Sequence, residues 1–303
     1  MRKVTVRLVG GLGNQLCCYA FGRAIAEQNR AVLEVDCESG YWSDPLQRQY
    51  LLDDFPSLRV NKKRLPTGNL GRRLFKLRLK IGASASRALP LPLRFVVMEG
   101  RRKQYQEGIH RTLYRTQPYF VGYWASYRYY QDIAGQLRAE LVPPRPRAPA
   151  VLCMLDNIRS SVSCGIHWRA YTEAVGESHA SLIGYCRAAV SLIEQRHPGT
   201  RFFVFSDNHA AARSELGGLG GQMVFVELKE AVGNLQSLND FYLMYSCNHA
   251  IIADSTFSWW AAWLSDKETK TIIAPSGLSP WGMDWLPPHW LAVSADGSRV
   301  VSR

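Results

Sequence analysis

Short apolar runs that close on glycine or a polar turn alternate, along most of this chain, with stretches long enough for helices. The first run, Val4-Thr5-Val6-Arg7-Leu8-Val9, stops at Gly10-Gly11 and reads as a strand. A helical pattern follows from Gln15 to about Gln28, and a second apolar run, Ala31–Val35, ends in Asp36. Strand, glycine loop, helix, strand is a βαβ unit, which implies a parallel sheet. The alternation restarts in the second half with a helix near Ala150–Arg159, a strand Ser161–Ile166 and a helix Ser181–Gln195. It continues through strand Arg201–Phe205, helix Gln236–Ser246, strand His249–Ala253, helix Phe257–Leu264 and strand Lys270–Ala274. Connections this short between alternating elements predict a doubly wound α/β arrangement.

Between the halves, Val142-Pro143-Pro144-Arg145-Pro146-Arg147-Ala148-Pro149 carries four prolines in eight residues. Such a run continues neither a helix nor a central strand. It predicts a stiff linker, 143–149, between an N-terminal domain, 1–142, and a C-terminal domain, 150–303. Hydrophobic residues make up 47% of the 303 and charged ones 20%, a composition that buries a core. The seven cysteines form no C-x-x-C pair and read as reduced thiols. No signal-peptide pattern precedes the first strand, so the expectation is a cytoplasmic protein.

The formal charge of +12 is a local property. From Arg59 to Lys103 there are fourteen Lys/Arg against one acid, Glu99. This segment, about 59–103, reads as a basic insertion. Leu70, Leu74, Leu77 and Ile81 fall at helical spacing with Arg72, Arg73, Lys76 and Lys80 off the stripe. The stretch Lys76-Leu77-Arg78-Leu79-Lys80-Ile81 alternates at period two as well, so a strand stays open. Two roles stay open with it: a solvated basic face, or a surface that lies on an anionic membrane, which would make the protein peripheral on the inner membrane face. Nucleic acid is not an expected partner, because no recognised binding module accompanies the charge.

Four loops carry candidate chemistry. Gly10-Gly11-Leu12-Gly13-Asn14-Gln15 sits between the first strand and helix, where backbone N–H groups and a helix start favour anions. Gly11 and Gly13 satisfy G-x-G, and Asp36 lies at the distance of a ribose contact, but Leu16 occupies the third glycine position of a dinucleotide fingerprint. A tight turn requiring positive φ explains the glycines equally. His167 and Arg169 leave a strand at its carboxyl end on one face, and an arginine there grips phosphate with two prongs. Ser206-Asp207 follows another strand, and either residue can cap the next helix. Ala253-Asp254-Ser255-Thr256-Phe257-Ser258 leads from a buried strand straight into a helix start, a natural cradle for a diphosphate.

Taken together these blocks resemble the bacterial α-1,2-fucosyltransferase family. The resemblance rests on Gly10–Gln15 with Tyr19-Ala20-Phe21-Gly22, and on Gly122-Tyr123-Trp124-x-Ser126-x-x-Tyr129-Tyr130-x-Asp132-Ile133. His167-x-Arg169, Phe205-Ser206-Asp207 and the span from Asn239-Asp240-Phe241 through Ser258-Trp259-Trp260-x-Ala262-Trp263-Leu264 follow in the same order. It implies a GT-B-like α/β fold, two Rossmann-like domains with parallel sheets facing a cleft. No metal and no cofactor are implied. GDP-fucose would be the donor substrate, held by His167, Ser206, Asp207, Asp254, Ser255, Thr256, Phe257 and Ser258. Arg169 and Asn14 would be the catalytic residues, with Gly11, Gly13 and Gln15 in the loop at the cleft. The acceptor would be a galactose O2 on a glycan, lipid-linked in the manner of O-antigen assembly.

One motif departs from the family pattern. Where the family reads His-x-Arg-Arg-Gly-Asp-Tyr, this chain reads His167-Trp168-Arg169-Ala170-Tyr171-Thr172-Glu173. The first arginine is kept and a second cation is replaced by Ala170. Two alternatives follow: a same-fold transferase using another nucleotide sugar, or a non-catalytic basic protein that binds nucleotide or membrane.

Overall fold

The computed structural model describes residues 2–100, 103–169, 179–228, 234–276, 285–294 and 299–300. The chain divides into two compact units, Met1–Val142 and Pro143–Arg303.

Unit 1 contains β1 (Lys3–Arg7), α1 (Leu12–Gln28), β2 (Val32–Asp36), β3 (Asn61–Lys62), α2 (Gly68–Arg87), β4 (Val96–Met98), α3 (Glu107–His110), β5 (Tyr119–Val121) and α4 (Ala134–Glu140). Its five strands are parallel, in the order β3-β2-β1-β5-β4. Alternate residues of β1 serve opposite faces. Val4 and Val6 are buried toward α1, where Phe21 meets Phe120 edge-on at 5.1 Å. On the other face Phe75 of α2 lies 6.2 Å from the Tyr119 ring. The close seat of α1 depends on Gly22, since a Cβ there would lie 2.8 Å from Val6 Cγ1. Gly10, with φ +75°, makes the turn from β1 into α1 that a side chain would strain.

The segment 59–103 is not an insertion. It supplies both edge strands, β3 and β4, with α2 between them. Strands of two and three residues are too short to show as alternation, so the charge of the surrounding residues masked them. Over 76–81 the helical reading holds, inside the twenty-residue α2. Its Leu70, Leu74, Leu77 and Ile81 are 52–71% exposed.

After β5 the chain turns at Trp124, whose φ is +55°. The Glu99 carboxylate accepts from Tyr123 N at 2.7 Å and Trp124 N at 2.9 Å, and the indole stacks on Phe21 at 4.0 Å. Left-handed backbone costs a bulky residue about 1–2 kcal/mol, which these contacts offset. The Gly122–Trp124 block is thus a folding element.

Unit 2 contains α5 (Pro149–Arg159), β6 (Ser163–Trp168), α6 (His179–Arg196), β7 (Arg201–Ser206), α7 (His209–Leu216), β8 (Gln222–Phe225), α8 (Asn234–Ser246), β9 (His249–Ile251), α9 (Thr256–Leu264), β10 (Ile272–Pro275), β11 (Leu291–Val293) and β12 (Arg299–Val300). The strand order is β12-β11-β10-β9-β6-β7-β8, parallel throughout except for β12. The first strand of this unit, β6, lies inside the sheet beside the central β9, and the order reverses between the two. Ligands of open α/β sheets gather outside the carboxyl ends at such a switch point. The core is continuous: Ile166, Phe202, Val204, Ile251 and Ile273 are buried, and the Tyr185 hydroxyl donates to Ile252 O at 2.8 Å. Trp259 and Trp260 also belong to the core, with Trp259 Nε1 donating to Trp285 O at 2.8 Å.

Candidate active site

The polar residues at the switch point follow from strand register. Trp168 of β6 pairs with Ser206 of β7, so Arg169 and Asp207 leave the sheet side by side. Arg169 Nε donates to Asp207 Oδ2 at 3.4 Å, and both side chains are about half exposed, 42% and 52%. That pair is open to solvent and worth little as stability. Ser206 Oγ accepts from Asn208 N at 3.0 Å, and Asn208 rather than Ser206 or Asp207 caps α7, accepting from Ala211 N at 3.1 Å.

His167 sits one residue inside β6, its ring 5.6 Å from that of Phe257 in the first turn of α9. Burial, and the nearby Arg169 cation, push its pKa down to about 3, so the imidazole is neutral at working pH. Its Nδ1 is buried and makes no hydrogen bond among the described residues. An unmet buried polar atom costs about 1–3 kcal/mol, which marks this nitrogen as one that a ligand can satisfy.

The α9 start completes the edge. Ser255 is the N-cap, its Oγ accepting from Phe257 N at 3.3 Å. Thr256 opens the first turn, and Asp254 stands just before the cap. Ser258 is fully buried and its hydroxyl donates to Ser255 O at 3.3 Å, so it braces the cap from within and offers nothing outward. Phe257 packs between His167 and Phe241, 5.3 Å from the latter. The structure therefore brings together His167, Arg169, Ser206, Asp207 and Asp254–Phe257. Ala170, Tyr171, Thr172 and Glu173 lie outside the described residues.

The alternation predicts α8 as a helix over Gln236–Ser246, but no residue of it is among the candidate site residues. There Asp240 accepts from Gln236 Nε2 at 2.8 Å, and burial raises its carboxyl to about 6 despite that bond. Asn239 Nδ2 and Gln236 Oε1 are buried without partners among the described residues. The signal that could have found them is three amide or acid side chains within five residues of an otherwise apolar helix.

In unit 1 the first-loop residues divide. Gln15 is fully buried and fully used: Nε2 donates to Gly10 O and Gln49 O, while Oε1 accepts from Leu51 N at 2.9 Å. It pins the loop to the segment after β2. Gly11 is the N-cap of α1, Gly13 lies in its first turn, and the Asn14 amide covers Gly10. Asp36 corrects the dinucleotide reading. It is completely buried, and its carboxylate accepts from Glu38 N, Ser39 N, the Ser39 hydroxyl and the Tyr119 hydroxyl. No acceptor position remains for a ribose. Among the described residues no group of three or more His, Cys, Asp or Glu is arranged to hold a metal ion, and no helix is long and apolar enough to cross a membrane.

Two parallel-stranded α/β units, one with its polar groups at a switch point, define a two-domain glycosyltransferase fold of the GT-B class. A crystal structure of the fucosyltransferase NodZ from Bradyrhizobium is similar in fold, with TM-score 0.51 at 14% identity over 86% of this chain and 92% of that one. The model of glycosyl transferase family 11 matches residues 101–280, more than half of the chain. The chain belongs to that family and is a glycosyltransferase. It is 26% identical to an Escherichia coli alpha-1,2-colitosyltransferase over 97% of this chain and 99% of that protein. It is 28% identical to galactoside alpha-(1,2)-fucosyltransferase 1 of Lagothrix lagotricha, over 59% of this chain and 53% of that protein. The chain thus spans about half the length of that mammalian relative.

Proposed function

We propose that this chain transfers L-fucose from GDP-fucose to galactose O2 of a glycan acceptor, with inversion at the anomeric carbon. One observation carries the reading: Arg169, the neutral His167 and the α9 start converge where the unit 2 strand order reverses. The acceptor hydroxyl attacks the sugar's anomeric carbon and loses its proton. The bond from that carbon to the β-phosphate oxygen breaks, and GDP leaves with the electron pair. Negative charge grows on the β-phosphate, where Arg169 and the positive end of the α9 dipole can meet it. A permanently charged guanidinium and fixed helix-start dipoles need no reorganisation as the charge develops. His167 hydrogen-bonds the nucleotide through the nitrogen left unmet among the described residues, and its neutrality avoids a buried cation beside Arg169. Ser206, Asp207 and Thr256 line the donor side.

A second reading has its own support. Ala170 stands where the fucosyltransferase pattern has a cation, and the similarity to a colitosyltransferase extends over nearly the whole chain. Colitose in place of fucose is the donor that this pairing favours.

A donor screen with a β-galactoside acceptor decides. Transfer from GDP-fucose, giving a 2-O-substituted product, is the expected result. Turnover of GDP-colitose alone moves the assignment to the second reading, and turnover of GDP-mannose or a UDP-sugar alone rejects both. Nucleotide binding without turnover on any acceptor would make the chain a binding protein. Arg169→Ala is expected to lower kcat by about a hundredfold, the typical loss of about 3 kcal/mol for one such stabilising contact.

A further inference from the structure

Unit 1 holds a second polar edge, and its chemistry differs from that of the donor side. Arg7, Val121 and Met98 are the last residues of β1, β5 and β4. Their registers run in step, Val6 against Phe120 and Val121 against Met98, so the three form a row across adjacent strands. Between this row and α2 lies a cavity of about 420 Å³. That volume is in the range of small-molecule sites.

Its lining is of two kinds. Phe75, Leu79 and Val121 with their neighbours form an apolar wall, whereas Arg7, Lys76, Lys80 and Arg87 bring four cations, and no carboxylate lines the cavity among the described residues. Arg7 Nη2 donates to Ser39 O at 2.8 Å, but its Nε is buried with no partner among the described residues. Among the described residues Lys76 Nζ donates to a neutral group, Ser43 Oγ at 2.8 Å. The carboxylates at the adjoining strand ends accept from other groups: Asp36 from four donors, and Glu99 from the Tyr123 and Trp124 amides. A solvated basic face would not gather four like charges around an apolar hollow and leave a guanidinium nitrogen buried and unmet. The opposite face of α2 adds an exposed row of Leu70, Leu74, Leu77 and Ile81.

We propose that this cavity binds the phosphate of a long-chain phosphate ester delivered from a lipid surface. Phosphate is the anion that several converging Lys and Arg donors fit. The apolar wall takes the first carbons of the chain, and the outer leucine row of α2 meets the membrane from which the chain comes. In the transferase reading this amphiphile is the carrier of the glycan acceptor. The inference rests on that reading only for the carrier's role, because binding needs no sugar nucleotide.

The test is flotation of the full chain with three kinds of phosphatidylcholine vesicle, carrying hexadecyl phosphate, the same negative charge as oleate, or neither. Preference for the phosphate vesicles supports the site, and equal binding to oleate reduces it to charge adsorption and overturns it. Ala83→Phe fills the cavity without altering charge; it is expected to abolish the phosphate preference, and unchanged preference would also overturn the site. Lys76→Ala with Lys80→Ala is expected to weaken binding about thirtyfold, from about 1 kcal/mol for each cation near a membrane surface. Circular dichroism melts of each variant separate loss of the site from loss of the fold. Competition by inorganic phosphate or pyrophosphate at low millimolar concentration would identify a soluble anion as the ligand and refute the lipid source. Because no donor is present, failure here leaves the donor site untouched, and failure of the donor screen leaves this site standing.

Discussion

Asp36 and His167 both sit at the carboxyl edge of a parallel sheet, Asp36 at the end of β2 and His167 near the end of β6. Asp36 is buried with four donors on its carboxylate, and His167 keeps a buried nitrogen that no described residue meets. Around Asp36, the edge polarity is consumed in holding loop to strand. Around His167, the polarity is left over, beside a half-exposed Arg169–Asp207 pair and a helix start. The lesson is that type and position of a polar residue do not separate scaffold from site. The balance of donors and acceptors does, since folding tolerates an unmet buried group only at a cost of about 1–3 kcal/mol.

The contrast can be broken most sharply at Asp36. Asp36→Ala strands several donors in a buried place and is expected to cost about 4 kcal/mol in urea unfolding. Asp207→Ala, at the exposed pair, is expected to cost no more than about 0.5 kcal/mol. Similar losses at the two positions would end the comparison.

Next in size is Asp240. Its folded pKa of about 6 lies above the usual aspartate value, so the folded state holds this proton more tightly than the unfolded chain. Stability therefore falls as pH rises through roughly 4 to 6 and is level above that, where ionised Asp240 costs about 3 kcal/mol. Asp240→Asn is expected to remove that slope and to raise Tm at pH 8, as thermal melts across pH would show. A lower Tm at pH 8 would mean the charge is matched by a group not recognised here. His167 works in the opposite direction. Its pKa is depressed, so it favours the unfolded chain as pH drops below the usual histidine value, and His167→Gln is expected to flatten that acid limb.

Smaller than the Asp36 and Asp240 effects is that of Ser255→Ala, expected to cost about 1 kcal/mol as a lost N-cap. Its effect on transfer should exceed its effect on stability if the α9 start meets the phosphates.

Much of this was legible in the sequence because strands of five or six residues flanked by glycine or polar turns announce themselves. β1, β6 and β7, and the loops that leave them, were visible in that way, as was the break at the prolines. What stayed hidden has physical causes. β3 and β4 are two and three residues long and stand among cations, so the segment looked like an insertion. α7 and β8 follow Asn208 in a stretch with weak periodicity. Side-chain accounting was invisible as well: nothing in the sequence shows that the side chains of Asp36, Gln15 and Ser258 are taken up by partners within the fold, and Lys76, Lys80 and Arg87 read as part of a charge run with nothing to place Arg7 beside them.

The central claim is that the polar edge of unit 2 holds the nucleotide diphosphate through Arg169. Calorimetric titration of GDP into the wild-type chain and into Arg169→Ala tests it directly. The account predicts clear binding by the wild type and a loss of at least tenfold in affinity in the variant, with unfolding curves unchanged. Equal affinity in the two proteins, or preference for UDP over GDP, would contradict it.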